Sequence, residues 1–102
     1  MGLGIALQDE SGVEVDSLAD PKNHLGRLLP EHDDQTHPML ASIDFYGDTV
    51  FNRMQMDRFL EEWAVVSARA QSPEEKALVS AVEKLAHRCQ DEVHLYLKFI
   101  GD

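Results

Sequence analysis

Val93-His94-Leu95-Tyr96-Leu97-Lys98-Phe99 places an apolar residue at every second position, with His94, Tyr96 and Lys98 between them. Alternation of period two is the pattern of a half-buried strand. Just upstream the period changes. Leu78, Val82, Leu85 and Cys89 recur at i, i+4, i+7 and i+11, which lines up one stripe of a helix. The helix has a defined start at Ser72-Pro73-Glu74-Glu75: a capping serine, a proline suited to the first helical position, and a glutamate three residues after the cap. A well-capped helix that hands over to an alternating strand points to a domain mixing both element types.

The preceding segment supplies a second helix. Met56, Phe59, Leu60, Trp63 and Val66 or Ser67 follow the i, i+3, i+4, i+7 spacing, while Asp57, Arg58, Glu61, Glu62 and Arg69 fall on the other side. Asn52 is placed to cap it, and Thr49-Val50-Phe51 are β-prone residues leading in. Phe45-Tyr46-Gly47-Asp48 reads as a turn and Met39 to Ile43 as a short strand. At the start of the chain Leu3, Ile5 and Leu7 alternate with smaller or polar residues. Asp9-Glu10-Ser11-Gly12 gives turn chemistry, and Val13 and Val15 alternate again, so an N-terminal β-hairpin is expected. Asp20-Pro21 suits a helix cap and first position, with Leu25, Leu28 and Leu29 on one side before Pro30 stops the pattern. Residues 30–38 have no apolar side chain apart from the bounding prolines and read as loop. The expected fold is a single α+β domain over residues 1–102. Two antiparallel amphipathic helices cover one face of an antiparallel or mixed sheet, and the C-terminal strand is able to lie beside the first.

Composition narrows the function classes. Nine basic and 19 acidic residues give a formal charge of −10, which disfavours direct binding to nucleic acid or to an anionic membrane. The charge is uneven: residues 1–51 hold 10 acids and 2 bases, a charge of −8, and residues 52–102 hold 9 acids and 7 bases, a charge of −2. A partner selected by charge would be basic and would meet the first half. No apolar run is long enough to cross a membrane, and Met1 to Leu7 lacks the basic start and apolar middle of a signal peptide, so a cytoplasmic location is expected. Cys89 is the single cysteine, which rules out an internal disulfide and suits a small buried side chain.

Catalytic motifs are scarce. Ser42, Ser67 and Ser80 lie in no Gly-x-Ser-x-Gly elbow, and no Gly-Lys-Ser or Gly-Lys-Thr is present to cradle phosphate. No cofactor is expected. His32, Asp34 and His37 are candidate metal ligands or acid/base groups by residue type, although their loop spacing matches no defined metal motif. Asp33, Asp34, Asp44, Tyr46 and Asp48 form a more suggestive set. An aromatic ring among carboxylates can anchor a contact while the acids steer a basic protein toward it. The expected function is therefore a non-enzymatic interaction module, immunity-like or inhibitory in character. The alternatives are a small metal-dependent or acid/base enzyme centred on the His32–His37 loop, and a structural homodimer.

Two segments, Tyr46-Gly47-Asp48-Thr49-Val50-Phe51-Asn52 and His94-Leu95-Tyr96-Leu97-Lys98-Phe99-Ile100-Gly101-Asp102, resemble portions of small acidic bacterial proteins with no established activity. The resemblance implies a bacterial origin and a short protein complete near Gly101-Asp102. It transfers no catalytic or binding residue.

Overall fold

A computed structural model describes residues 2–101. In chain order it contains β1 (Gly4–Asp9), β2 (Glu14–Ala19), α1 (His24–Leu28), α2 (Pro38–Ala41), β3 (Asp48–Asn52), a 3-10 turn (Arg53–Gln55), α3 (Met56–Arg69), α4 (Pro73–Asp91) and β4 (Leu95–Ile100). The strands form one four-stranded sheet in the order β2-β1-β4-β3, antiparallel throughout. The α+β class, the N-terminal hairpin and the placement of the last strand beside the first are all observed.

The hairpin turn works as its residues dictate. The Asp9 carboxylate accepts from the backbone N–H of Ser11 (2.9 Å) and Val13 (3.0 Å), and Gly12 takes a positive φ of 83°, where a side chain would be strained. Register then places Ile5 opposite Phe99 and Leu7 opposite Leu97, with Thr49 and Phe51 opposite the same two residues from the far side. This row is the inner face of the sheet, and α3 and α4 pack on it. Trp63, Phe59, Phe51 and Phe99 form its centre: Phe59 stacks on Trp63 at 5.5 Å between centroids, and Phe99 meets Phe51 edge-on at 6.0 Å. The Trp63 indole N–H donates to the Val79 carbonyl (3.0 Å), so the largest core side chain also ties α3 to α4.

Four local expectations are corrected. Met39 to Ile43 is not a strand, because Pro38–Ala41 forms a helical turn. Its leading N–H groups, from Met39 (3.4 Å) and Leu40 (3.0 Å), donate to the carboxylate of Glu62, a contact from another element that overrides β-propensity. Glu62 itself was expected on the polar side of its helix but is buried, at 3% exposure. The first helix begins at His24 rather than at Pro21, with Asn23 turned to a positive φ of 55° before it. Asp20 still serves that helix, since its carboxylate accepts from His24 N–H (2.9 Å) and Leu25 N–H (2.8 Å). Val93 lies outside the last strand and is exposed, because His94 at φ 68° breaks the extended path and β4 starts only at Leu95.

The capping box of α4 forms as read. Ser72 Oγ accepts from Glu75 N–H (3.1 Å), and Glu75 accepts from Ser72 N–H (3.2 Å) and Gln71 N–H (2.9 Å). Glu75 is also paired with Arg27, which links α1 to the start of α4. Beside it the Lys22 ammonium, helped by His24, holds the Glu74 carboxyl below the usual carboxylate range. Along α4, Val79 is buried while Leu78 is only half-buried, so the inward stripe is rotated slightly from the reading of the sequence. Cys89 is fully buried, and desolvation pushes its thiol up to about 11. It should therefore resist alkylation in the folded protein and react at the rate of a free thiol once urea unfolds the chain.

Ser67, on α3, has a buried hydroxyl with no hydrogen-bond partner among the described residues. Glu62, five residues earlier on the same helix, is buried and hydrogen-bonded. Urea denaturation should separate the two by sign. Ser67→Ala removes an unsatisfied group and should raise stability by about 1 kcal/mol. Glu62→Ala strands two N–H donors and should lower it by about 2–3 kcal/mol.

Candidate functional site

The loop of residues 30–38 and the turn at Phe45–Asp48 are brought against each other through His32. Its Nδ1–H donates to the Ala41 carbonyl (2.8 Å), and its ring meets Phe45 edge-on with centroids 6.2 Å apart. This contact holds the acidic loop, with Glu31, Asp33 and Asp34, against the turn that carries Asp44. Between the loop and α2 lies an open recess of about 460 Å³ whose lining includes His32, Asp33, Asp34, Pro38 and Ser42. Glu62, reaching across from α3 to the α2 N–H groups, fixes the recess to the helical layer.

Each side chain in this surface has a definite role. Asp34 is turned inward and organises the loop: Oδ1 accepts from Thr36 N–H (2.8 Å) and His37 N–H (2.9 Å), and Oδ2 accepts from His37 Nδ1–H (3.2 Å). The bond to the His37 ring, followed by the His37 backbone N–H, holds the Asp34 carboxyl below its ordinary value of 3.8. Asp44 organises the turn in the same manner. Its carboxylate accepts from Tyr46 N–H (2.8 Å), while its own N–H donates to the Thr49 hydroxyl (2.9 Å). Gly101 N–H donates to the Gly47 carbonyl (2.7 Å) and pins the turn to the end of β4. A Cβ at Gly101 would fall 2.5 Å from Gly47 backbone atoms, so this close approach requires glycine.

The result is a rigid turn that presents Tyr46 outward at 87% exposure. Asp44, in the same turn, is exposed, as are Asp33 and Glu31 on the neighbouring loop. Among the described residues no cationic side chain pairs with any of these three. Asp48 differs, because its carboxylate lies 3.4 Å from the Lys98 ammonium. Of the residues that the sequence singled out, Asp33, Asp44, Tyr46 and Asp48 are exposed on this loop and turn and Asp34 is turned into the loop, while Glu31, Thr49 and Glu62 were not named for it. The signal for Glu62 was its place on the stripe three residues after Phe59 and four before Val66, a core position held by a carboxylate.

Asp34 and His37 are together, and His32 spends one ring nitrogen on the Ala41 carbonyl. Among the described residues no group of three or more His, Cys, Asp or Glu side chains is arranged to hold a metal ion. The Asp34–His37 pair leaves His37 Nε2 as a proton acceptor, and among the described residues no hydroxyl or thiol is hydrogen-bonded to it. No helix is long and apolar enough to cross a membrane. No family model, curated protein or solved structure matches the chain.

The depressed Asp34 carboxyl sets a pH dependence for the loop. A carboxylate whose value is lower in the folded state adds stability above its unfolded value and loses it as pH falls through the folded one. A carboxyl-carbon titration should place Asp34 below an unstructured aspartate, and protection of the His37 amide against hydrogen exchange should disappear over the same acidic interval. If His37 stays protected after Asp34 is protonated, Asp34 does not hold the loop.

Proposed function

We propose that this chain is a non-enzymatic protein-interaction module whose surface around Tyr46 receives a basic face of another protein. The observation that carries the reading is the exposed Tyr46 ring, held on a turn fixed at both ends, with Asp44 in that turn and Asp33 and Glu31 on the neighbouring loop, none of which pairs with a cation among the described residues. An exposed aromatic ring on flexible chain would lose conformational entropy on binding, whereas a ring on a fixed turn is pre-organised. The unpaired acids add long-range attraction for a cationic partner, which raises the association rate and discriminates against acidic competitors. Occlusion of a basic site, as an inhibitor or immunity-like protein would achieve it, needs nothing further from this chain. An adaptor would use the same surface.

The test compares the unmodified chain with Tyr46→Ala and with Asp33→Asn combined with Asp44→Asn. Each is immobilised and exposed to an extract of the source cells at low salt. The unmodified chain should retain one basic protein stoichiometrically and release it as salt rises. Tyr46→Ala should weaken that complex by about 30-fold, the scale of a central aromatic contact. The paired Asn variant should slow association and flatten the salt dependence. Retention that neither the variants nor salt can change would rule the reading out. Native mass measured on the same samples separates the homodimer alternative, which requires a concentration-dependent mass without any second protein.

A further inference from the structure

A different surface lies at the other end of β3. Asn52, Arg53, Met54, Val93, His94 and Tyr96 contribute to the lining of an open recess of about 360 Å³. Lys22, Arg27, Arg58, Arg88 and Lys98 each pair with a carboxylate, whereas among the described residues Arg53 pairs with none, and it is the cation that lines this recess. Instead its Nε–H donates to the Gln90 carbonyl (3.1 Å), which fixes the guanidinium and leaves its terminal nitrogens without a partner among the described residues. The acid one turn along, Asp57, is taken by the Gln90 side-chain amide. On either side of Arg53 the apolar surface is uncovered: Met54 is 86% exposed and Val93 61% exposed. His94 stands at the rim in the left-handed backbone region at φ 68°, its ring 3.2 Å from the Glu10 carboxylate. The Asn52 side-chain Oδ1 accepts from the Gln55 N–H (3.1 Å), and among the described residues its Nδ2 donates to no protein group.

A guanidinium fixed at one edge presents its remaining N–H groups as a planar fork, which matches a carboxylate in geometry and charge. Exposed methionine and valine beside it suit an apolar body, because methionine repacks around irregular shapes. The volume is at the lower end of the range for ligand pockets. We propose that this recess binds small amphiphilic carboxylates, with the carboxylate on Arg53 and the apolar body against Met54, Val93 and the Tyr96 ring. None of these residues belongs to the surface around Tyr46, so this site and the protein-interaction reading stand or fall separately.

The experiment is a titration of the isotope-labelled protein with 4-phenylbutyrate, followed by backbone amide shifts, with 4-phenylbutanol as the neutral comparator. The carboxylate should cause saturable shifts confined to residues 52–54 and 93–96, and the alcohol should bind at least about tenfold more weakly, as expected for loss of a charge-assisted bidentate contact. Arg53→Gln should weaken phenylbutyrate to the level of the alcohol. Met54→Glu, on an exposed side chain, should abolish binding by repulsion even if Arg53→Gln perturbs the turn. Absence of saturable shifts overturns the proposal, as do equal responses to acid and alcohol or a response unchanged in both variants.

Discussion

Three carboxylates are buried among the described residues, and each one serves the start of a helix. Asp20, at 2% exposure, accepts from the first N–H groups of α1; Glu62, at 3%, accepts from those of α2; Glu75, at 1%, accepts from the N–H groups entering α4. A helix start presents N–H donors without intrahelical partners and the positive end of the backbone dipole. Burying such an end is costly unless an acceptor comes with it, and burying a carboxylate is costly unless donors come with it. Each group here cancels the other's penalty. The short helices could not otherwise be seated against the core. Because α1 and α2 carry the loops of the acidic half, the positions of those loops follow from these three side chains.

This arrangement explains what could be read in advance. Asp20 and Glu75 act on segments a few residues away, so their roles are written locally: Asp-Pro before a leucine pattern, and Ser-Pro-Glu-Glu before another. Glu62 acts on residues 22 and 23 positions earlier, and no local pattern reports a contact of that range. The misreading of Met39 to Ile43 as a strand and of Glu62 as a solvated residue are therefore one error seen from two ends. Val93 failed for a different reason. Its alternation with Leu95 and Leu97 is real, but the backbone reverses at His94, and apolar spacing says nothing about a single positive φ. Of the candidate site, the residue types were legible and their grouping was not. The contact from His32 to Phe45 and Ala41 depends on how the loop folds back, which composition cannot specify.

β4 gives the two halves of the molecule their common frame. It pairs with β1 on one edge and β3 on the other, so the hairpin and the segment bearing Tyr46 are joined in one sheet only through it. β3 with its preceding turn and β4 are neighbours in this sheet, and Gly47 and Gly101 hydrogen-bond where the strands converge. They form one continuous piece of architecture despite lying more than forty positions apart in the chain. That piece supports Tyr46 at one end and the Arg53 recess at the other, which keeps an acidic aromatic patch and a cationic apolar patch apart on one small domain.

The sheet is open at β2 and β3, and strands left open in this way invite pairing with identical chains. Here the outer strands carry their own deterrent. β2 contributes Glu14 and Asp16, β3 begins at Asp48, and β1 breaks register with β2 between Leu7 and Gln8. Two copies approaching edge to edge would bring carboxylates of the same sign together along an irregular margin. Acidic margins of this kind disfavour edge-to-edge stacking of identical chains, a colloidal consequence that owes nothing to any ligand.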